Sequence, residues 1–217
     1  MFLCYEVFGP RVTILAIMLS PLTIILKIML ENSEEYGFIA RLLEEINQHD
    51  VAEQLLRRFV QLQPEQELVL ISFLGRREGV KSLDEAFRLC EKAIASESYR
   101  PEAITQIGVH SLRAHRLELI KAGKATKKKY FGQVAKWFDI ANKQSPESLP
   151  LLLQRGEFEE LNNNLSETIK LYRQFISAKK VPTRQRAIVM NNLAYLLAVR
   201  SQGKEALKLI EQSIAEL

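Results

Sequence analysis

The sequence predicts an all-α protein built from about five stacked helical hairpins. Small or short residues recur in it at intervals of 34, 48, 34 and 38 residues. These residues are Ala52, Ala86, Val134, Thr168 and Ala206. Two more sets, beginning at Leu56 and Phe59, keep the same intervals, and positions i, i+4 and i+7 share one face of an α-helix. Glycine and proline are scarce, with 9 and 7 among 217 residues, and no alternating strand pattern is bounded by hairpin turns.

Residues 33–64 show the hairpin pattern most clearly. An aromatic residue, Tyr36, is followed by Ile39 and the small Ala40, then by Ala52 in the second helix and by a closing Pro64. This order, with its interval of 34 residues, resembles the tetratricopeptide repeat (TPR) family. The resemblance covers about residues 33–217 and is strongest at 33–64, 67–100 and 187–217. It implies a right-handed α-solenoid.

Turn-forming residues mark the ends of the predicted repeats. Pro64 ends a helix because proline cannot continue one, and Pro101 suits the first turn of the next helix. The predicted repeats are 33–66, 67–100, 101–147, 149–182 and 187–217. Terminal repeats usually carry a polar cap, which residues 187–217 lack. We therefore expect either that the array continues or that a partner covers its last face.

The third repeat carries an insertion at residues 112–129 that is strongly basic. Its basic residues are Arg113, Arg116, Lys121, Lys124, Lys127, Lys128 and Lys129. With Glu118 as the only acid, the segment from Arg113 to Lys129 has a net charge of +6, against +4 for the whole chain. We expect an overlong first helix followed by a loop at 122–129. Gly108, in that first helix, is expected to allow two helices to approach closely.

Residues 1–32 form an apolar segment that differs from the rest of the chain. Lys27 is the only charged residue between Val12 and Leu30. About 20 mostly apolar residues are enough to span a bilayer, so residues 12–30 predict an N-terminal membrane helix and a membrane-associated protein of unknown orientation. Two alternatives stay open, a buried cap on the first repeat of a cytoplasmic protein and a wrongly assigned start.

The sequence gives little support for catalysis or for a cofactor. The three histidines do not share a zinc-binding helix face, and the Gly-rich phosphate loops and the nucleophile elbow are missing. Cys4 and Cys90 are too far apart in sequence to form a metal motif, and Cys90 falls on an apolar helix stripe. We therefore predict a protein that is not an enzyme and has no metal site and no cofactor.

The resemblance implies instead a scaffold that binds a protein or peptide in a concave groove lined by the first helices. The family's groove positions fall here on Ile71, Glu78, Thr105, Val109, Leu153, Glu157, Asn191, Tyr195 and Val199. That wall is mixed apolar and acidic, which suits a partner segment with hydrophobic anchors. Recognition of a chaperone C-terminal tail is disfavoured because the first helices lack the clamp lysines and only Asn192 fits the clamp.

The basic insertion provides an alternative function. Lysines beside Tyr130 and Phe131 can contact nucleic acid or an anionic surface. A charge run of this kind is more often a solvated face. Nucleic acid is therefore the less favoured partner, and the sequence identifies neither the partner nor the oligomeric state.

Overall fold

A computed structural model describes residues 36–216 of the chain. Within that range the chain forms eleven α-helices and a short 3-10 turn at Pro64–Gln66, with no strand. The helices are α1 (Tyr36–Glu45), α2 (His49–Leu62), α3 (Glu67–Arg76), α4 (Val80–Ala95), α5 (Pro101–Ala114), α6 (Arg116–Lys121), α7 (Lys124–Gln144), α8 (Leu149–Leu161), α9 (Leu165–Ser177), α10 (Thr183–Val199) and α11 (Gly203–Ala215). The predicted all-α class is confirmed.

The repeated stripes of the sequence form the buried faces of the second helices. Ala52, Ala86, Val134, Thr168 and Ala206 are all at most 6% exposed. The residues four and seven positions after them are buried too, except Ile210, which is partly exposed. The 34-residue periodicity therefore marks helices that present the same face to their neighbours, as predicted.

The described residues fall into two compact units that divide between Leu70 and Ile71. The first unit contains α1 and α2, which pack through a stacked pair of rings. The Tyr36 and Phe59 rings lie 4.7 Å apart at an angle of 13°. Ala40 and Ala52, at 2% and 0% exposure, let the two helix backbones approach each other.

In the second unit, aromatic side chains join neighbouring hairpins. Phe87 of α4 packs against Tyr130 and Trp137 of α7, with ring centroids 5.1 and 4.9 Å apart. Phe158 of α8 contacts Phe138 of α7 at 5.3 Å. A separate buried cluster joins Ile169, Tyr172 and Phe175 of α9 to the Leu, Val, Met and Ala side chains of α10 and α11. Each hairpin of the second unit is therefore buried against other hairpins of that unit, as in a repeat array.

Small residues in the first helices make room for the second helices. A Cβ atom at Gly108 would lie 2.7 Å from the Trp137 ring, and one at Gly156 would lie 2.5 Å from the Tyr172 ring. The expected role of Gly108 in a close helix approach is thus observed, and Gly156 has the same role one hairpin later.

The basic insertion does not form the loop that we expected at residues 122–129. Helix α5 ends at Ala114, the short α6 follows, and α7 already begins at Lys124. Within 122–129 only Ala122 and Gly123 are not helical, and Gly123 has a φ of 90°. Lys124–Lys129 are helical because Tyr130 and Phe131, both buried, anchor the following turn.

The predicted membrane association is corrected. No helix within residues 36–216 is both long and apolar enough to cross a bilayer. The longest of them, α7, has 21 residues but carries six lysines. The apolar run 12–30 lies outside the described residues.

Candidate functional site

The second unit contains an open pocket lined mainly by α8, α10 and α11, with one residue each from α5, α6 and α9. Its volume is about 830 Å³, within the range of about 300–1,000 Å³ typical of ligand pockets. It is lined by Arg113, Arg116, Glu157, Glu160, Leu161, Tyr172, Asn191, Asn192, Ala194, Tyr195, Ala198, Gly203, Ala206, Leu207 and Ile210. We call this set the groove pocket.

One side of the groove pocket carries charged groups that largely compensate one another. Arg113 Nη2 of α5 lies 3.2 Å from Glu157 Oε2 of α8. The Tyr172 hydroxyl donates a 2.9 Å hydrogen bond to Glu160 Oε2. Burial raises the pKa of Tyr172 well above its usual value, and the Glu160 carboxylate raises it further. Arg116 has no ion-pair partner among the described residues.

The opposite side of the groove pocket exposes apolar surface. Tyr195 of α10 is 68% exposed and Leu207 of α11 is 61% exposed. The small side chains of Ala194, Ala198 and Ala206 also line the pocket. Asn191 and Asn192 add amide groups at one edge. The pocket thus combines an apolar wall with a balanced, polar wall.

The nine predicted groove residues lie in different environments. Glu157, Asn191 and Tyr195 line the groove pocket. Glu78 and Val199 are exposed but do not line it, and Leu153 is partly buried against the core of the last hairpins.

For the other three predicted groove residues, the assignment is corrected. Ile71, Thr105 and Val109 are each 0% exposed, so they cannot contact a partner. Ile71 and Val109 belong to the apolar core, and the Thr105 hydroxyl donates to the Pro101 carbonyl oxygen at 2.7 Å. At these three residues, the groove positions inferred from the family therefore fall on the buried face of the helix.

The sequence did not predict several residues of the groove pocket as groove residues. Arg113 and Arg116 were placed in the basic patch, yet they point into the groove pocket. Leu207 and Ile210, on the second helix of the last hairpin, were not predicted as binding residues. The sequence feature that could have indicated this part of the pocket is Leu207 itself, a large apolar residue one position beyond the buried stripe of Ala206.

The predicted basic patch is divided between four places. Arg113 and Arg116 face the groove pocket, whereas Lys124, Lys127 and Lys128 line a second cleft beside α7. Lys129 Nζ lies 2.7 Å from Asp84 Oδ1 of α4 and is therefore paired. Lys121 is exposed. Because the helices of the insertion point these side chains in different directions, the seven residues do not form one continuous basic surface.

The histidine and acidic residues of residues 36–216 form no group of three or more that could hold a metal ion. His115 is 1% exposed. Its Nδ1 and Nε2 atoms lie 3.1 Å from the Ser111 carbonyl oxygen and 2.9 Å from the Arg77 carbonyl oxygen. The ring therefore joins the end of α5 to the residue after α3 and has a structural role.

The sequence matches no protein-family model and no curated protein. The structure does resemble a solved one, a thermophilic TPR protein of Thermus thermophilus. The two superpose with a TM-score of 0.59 at 18% sequence identity, over 85% of this chain and 91% of that chain. This chain has the TPR fold. In TPR terms, the groove pocket is lined by both helices of the last hairpin and by the first helix of the preceding one, and the basic insertion lengthens the second helix of the third predicted repeat.

Proposed function

We propose that this TPR chain is a non-catalytic scaffold that binds a segment of a partner protein in the groove pocket. The observation that carries the proposal is the exposure of Tyr195 and Leu207 on a concave surface formed by consecutive hairpins. Large exposed apolar side chains in a pocket mark an interaction site more often than they mark ordinary surface. The repeats of the scaffold are proposed to be the units 33–66, 67–100, 101–147, 149–182 and 187–217.

The charges of the groove pocket define the kind of segment that it fits. Glu157 is already paired with Arg113, and Glu160 accepts a hydrogen bond from the Tyr172 hydroxyl. A basic residue of the bound segment would therefore gain little from these two carboxylates. Arg116 lacks a carboxylate partner within residues 36–216. The segment proposed is an extended or helical one with an apolar anchor against Tyr195 and a carboxylate near Arg116.

The arrangement of the groove pocket favours binding over catalysis. General acid–base work needs a carboxylate or imidazole that is free to exchange a proton with a substrate. In the groove pocket, Glu157 forms an ion pair with an arginine and Glu160 accepts a hydrogen bond from a tyrosine hydroxyl. No histidine is among the residues that line this pocket. Nucleic-acid binding through the whole insertion 113–129 is the weaker proposal, because its basic side chains face different directions.

The proposal is tested with two substitutions in the apolar wall, Tyr195→Glu and Leu207→Glu, in the full chain. The probe is an immobilised library of random peptides, from which the tightest binder of the wild-type chain is taken for titration. We expect each substitution to weaken that binding by at least about tenfold, since anchors of this kind contribute about 2 kcal/mol or more.

The matched control is Leu117→Glu. Leu117 is 72% exposed, lies on α6 and does not line the groove pocket. The Leu117→Glu variant should bind the selected peptide like the wild type. Equal losses in Leu117→Glu and Tyr195→Glu would contradict the proposal, as would a selected peptide that all three variants bind normally. Circular dichroism of each variant verifies that the fold is intact.

A further inference from the structure

We propose a second binding site in this TPR chain, a lysine-lined cleft beside α7 that takes an acidic protein segment with one apolar anchor. The cleft has a volume of about 560 Å³ and lies between the first turns of α7 and the end of α8. It is lined by Lys124, Lys127, Lys128, Phe131, Gly132, Ala135, Arg155, Phe158, Glu159, Asn162 and Asn164. We call it the lysine cleft, and it shares no residue with the groove pocket.

The lysine cleft has an uncompensated positive charge. Its four basic residues face a single acid, Glu159, which is already bound by Arg155 Nε at 2.9 Å and by the Asn164 side-chain amide at 3.0 Å. Lys124, Lys127 and Lys128 have no carboxylate partner among the described residues. They also crowd the N-terminal turns of α7, where the helix dipole is positive and where this helix has no acidic residue. Carboxylates from a partner would relieve both sources of repulsion.

The floor of the lysine cleft provides space for an apolar side chain. Phe131 and Phe158 pack against each other with ring centroids 5.6 Å apart and are themselves buried. The apolar surface that a partner can reach is therefore that of Ala135, which is half-buried, and of Gly132. Gly132 is exposed above it, and a Cβ atom at Gly132 would meet no atom within 4 Å. The missing side chain therefore leaves room for one from a partner, directly beside the lysines.

These features favour an acidic protein segment over nucleic acid. Binding of a single strand needs aromatic faces on which bases stack and a basic track along the backbone. Phe131 and Phe158 are 9% and 3% exposed, so neither offers an open ring face. The track is also interrupted, because Lys129 is paired with Asp84 and Arg113 with Glu157. Three lysines around an apolar hollow fit a short acidic motif instead.

The test uses a fluorescein-labelled peptide with one phenylalanine between two runs of aspartate and glutamate. Its binding to the full chain is measured by fluorescence polarisation. We expect the triple variant Lys124→Gln, Lys127→Gln, Lys128→Gln to bind at least about tenfold more weakly. We expect Gly132→Glu, whose side chain enters the hollow without a clash, to weaken binding similarly. Tyr195→Glu should bind this peptide like the wild type, which separates the lysine cleft from the groove pocket.

Two controls distinguish a specific binding site from nonspecific electrostatic attraction. The variant Lys143→Gln, Lys179→Gln, Lys180→Gln removes the same charge from exposed positions outside the cleft and should leave binding unchanged. A peptide with alanine in place of phenylalanine should bind at least about tenfold more weakly, since a phenylalanine ring buries much of its surface. The inference fails if the wild type does not bind the peptide, if both triple variants lose binding equally, if the alanine peptide binds equally well, or if oligouridine binds more tightly than the peptide.

Discussion

Glycines within helices of this protein have opposite functions that depend on what lies opposite the missing side chain. Gly108 of α5 faces Trp137 and Val134 of α7, and a Cβ atom there would lie 2.7 and 2.9 Å from them. Gly132, within α7, faces open space. The first glycine allows two helices to pack closely, whereas the second contributes nothing to packing and lowers helix propensity.

We therefore expect alanine at these two positions to change stability in opposite directions. Gly108→Ala should lower the free energy of unfolding by about 1 kcal/mol, because the steric cost of about 1–3 kcal/mol exceeds the gain in helix propensity. Gly132→Ala should raise it by about 0.5–1 kcal/mol. Urea denaturation of both variants measures the difference. A stabilised Gly108→Ala variant would show that α5 and α7 can separate easily.

At the scale of elements, α7 extends beyond the predicted repeat length because α4 supports its first turns. Asp84 of α4 accepts hydrogen bonds from Lys129 Nζ at 2.7 Å and from the Tyr130 hydroxyl at 2.8 Å. Phe87 packs edge-on against the Tyr130 ring one turn further along α4. The hydrogen bond from Lys129 lowers the pKa of Asp84, despite the opposing effect of burial. The added turns of α7 are therefore fixed by tertiary contacts that the preceding hairpin provides.

The Asp84 contact predicts a small stability difference that depends on pH. Since the pKa of Asp84 is lower in the folded than in the unfolded protein, its ionised form stabilises the fold above pH about 4, and this contribution disappears as pH falls through the folded-state pKa. Asp84→Asn should lower the unfolding free energy near pH 7 by less than about 1 kcal/mol, because both partners are about half exposed.

Urea denaturation at neutral and at acid pH measures this difference. The difference between wild type and Asp84→Asn should shrink on acidification. Asp139→Asn, an exposed position of α7 without an ion-pair partner among the described residues, serves as the control. An Asp84→Asn effect that is the same at both pH values would mean that the contact acts through hydrogen-bond geometry and not through charge.

At the scale of the whole molecule, the hairpins of the second unit are connected in series. Trp137, the only tryptophan of the chain, lies in α7 and contacts Phe87 of α4. The last hairpin, α10 and α11, has its own apolar cluster with α9, in which Leu193 is 0% exposed. In such arrays stability is approximately a sum of local and nearest-neighbour contributions. The two regions can therefore lose structure at different denaturant concentrations.

We expect Leu193→Ala to separate the unfolding of the last hairpin from that of the Trp137 region. The substitution creates a cavity that costs about 2–5 kcal/mol. Loss of helix, followed by circular dichroism, should begin at lower urea concentration, while the change in Trp137 fluorescence should shift less. Val134→Ala, next to Trp137 and also 0% exposed, should shift the fluorescence change instead. Coincident curves for Leu193→Ala would show that the second unit unfolds as one cooperative body.

The sequence by itself determined the architecture, because the architecture depends on local and repeated information. The apolar stripes that recur at about 34 residues identified the second helices, and all but one of their fifteen positions are buried. Gly108 was recognised as a close-contact position for the same reason. Within the second unit, each hairpin packs on its neighbours in the chain, so one sequence period specifies one packing unit.

Only the tertiary structure decided which side chains reach the open surfaces. A shift of one position turns a side chain by about 100° around a helix, and this is enough to place Thr105 and Val109 in the core instead of the groove. The insertion adds turns of helix whose direction depends on contacts with α4 and α8. That direction sends Arg113 and Arg116 to the groove pocket and Lys124 to the lysine cleft. Periodicity specifies which face of a helix is buried, whereas the positions of the remaining side chains depend on how neighbouring helices are rotated and how long they are.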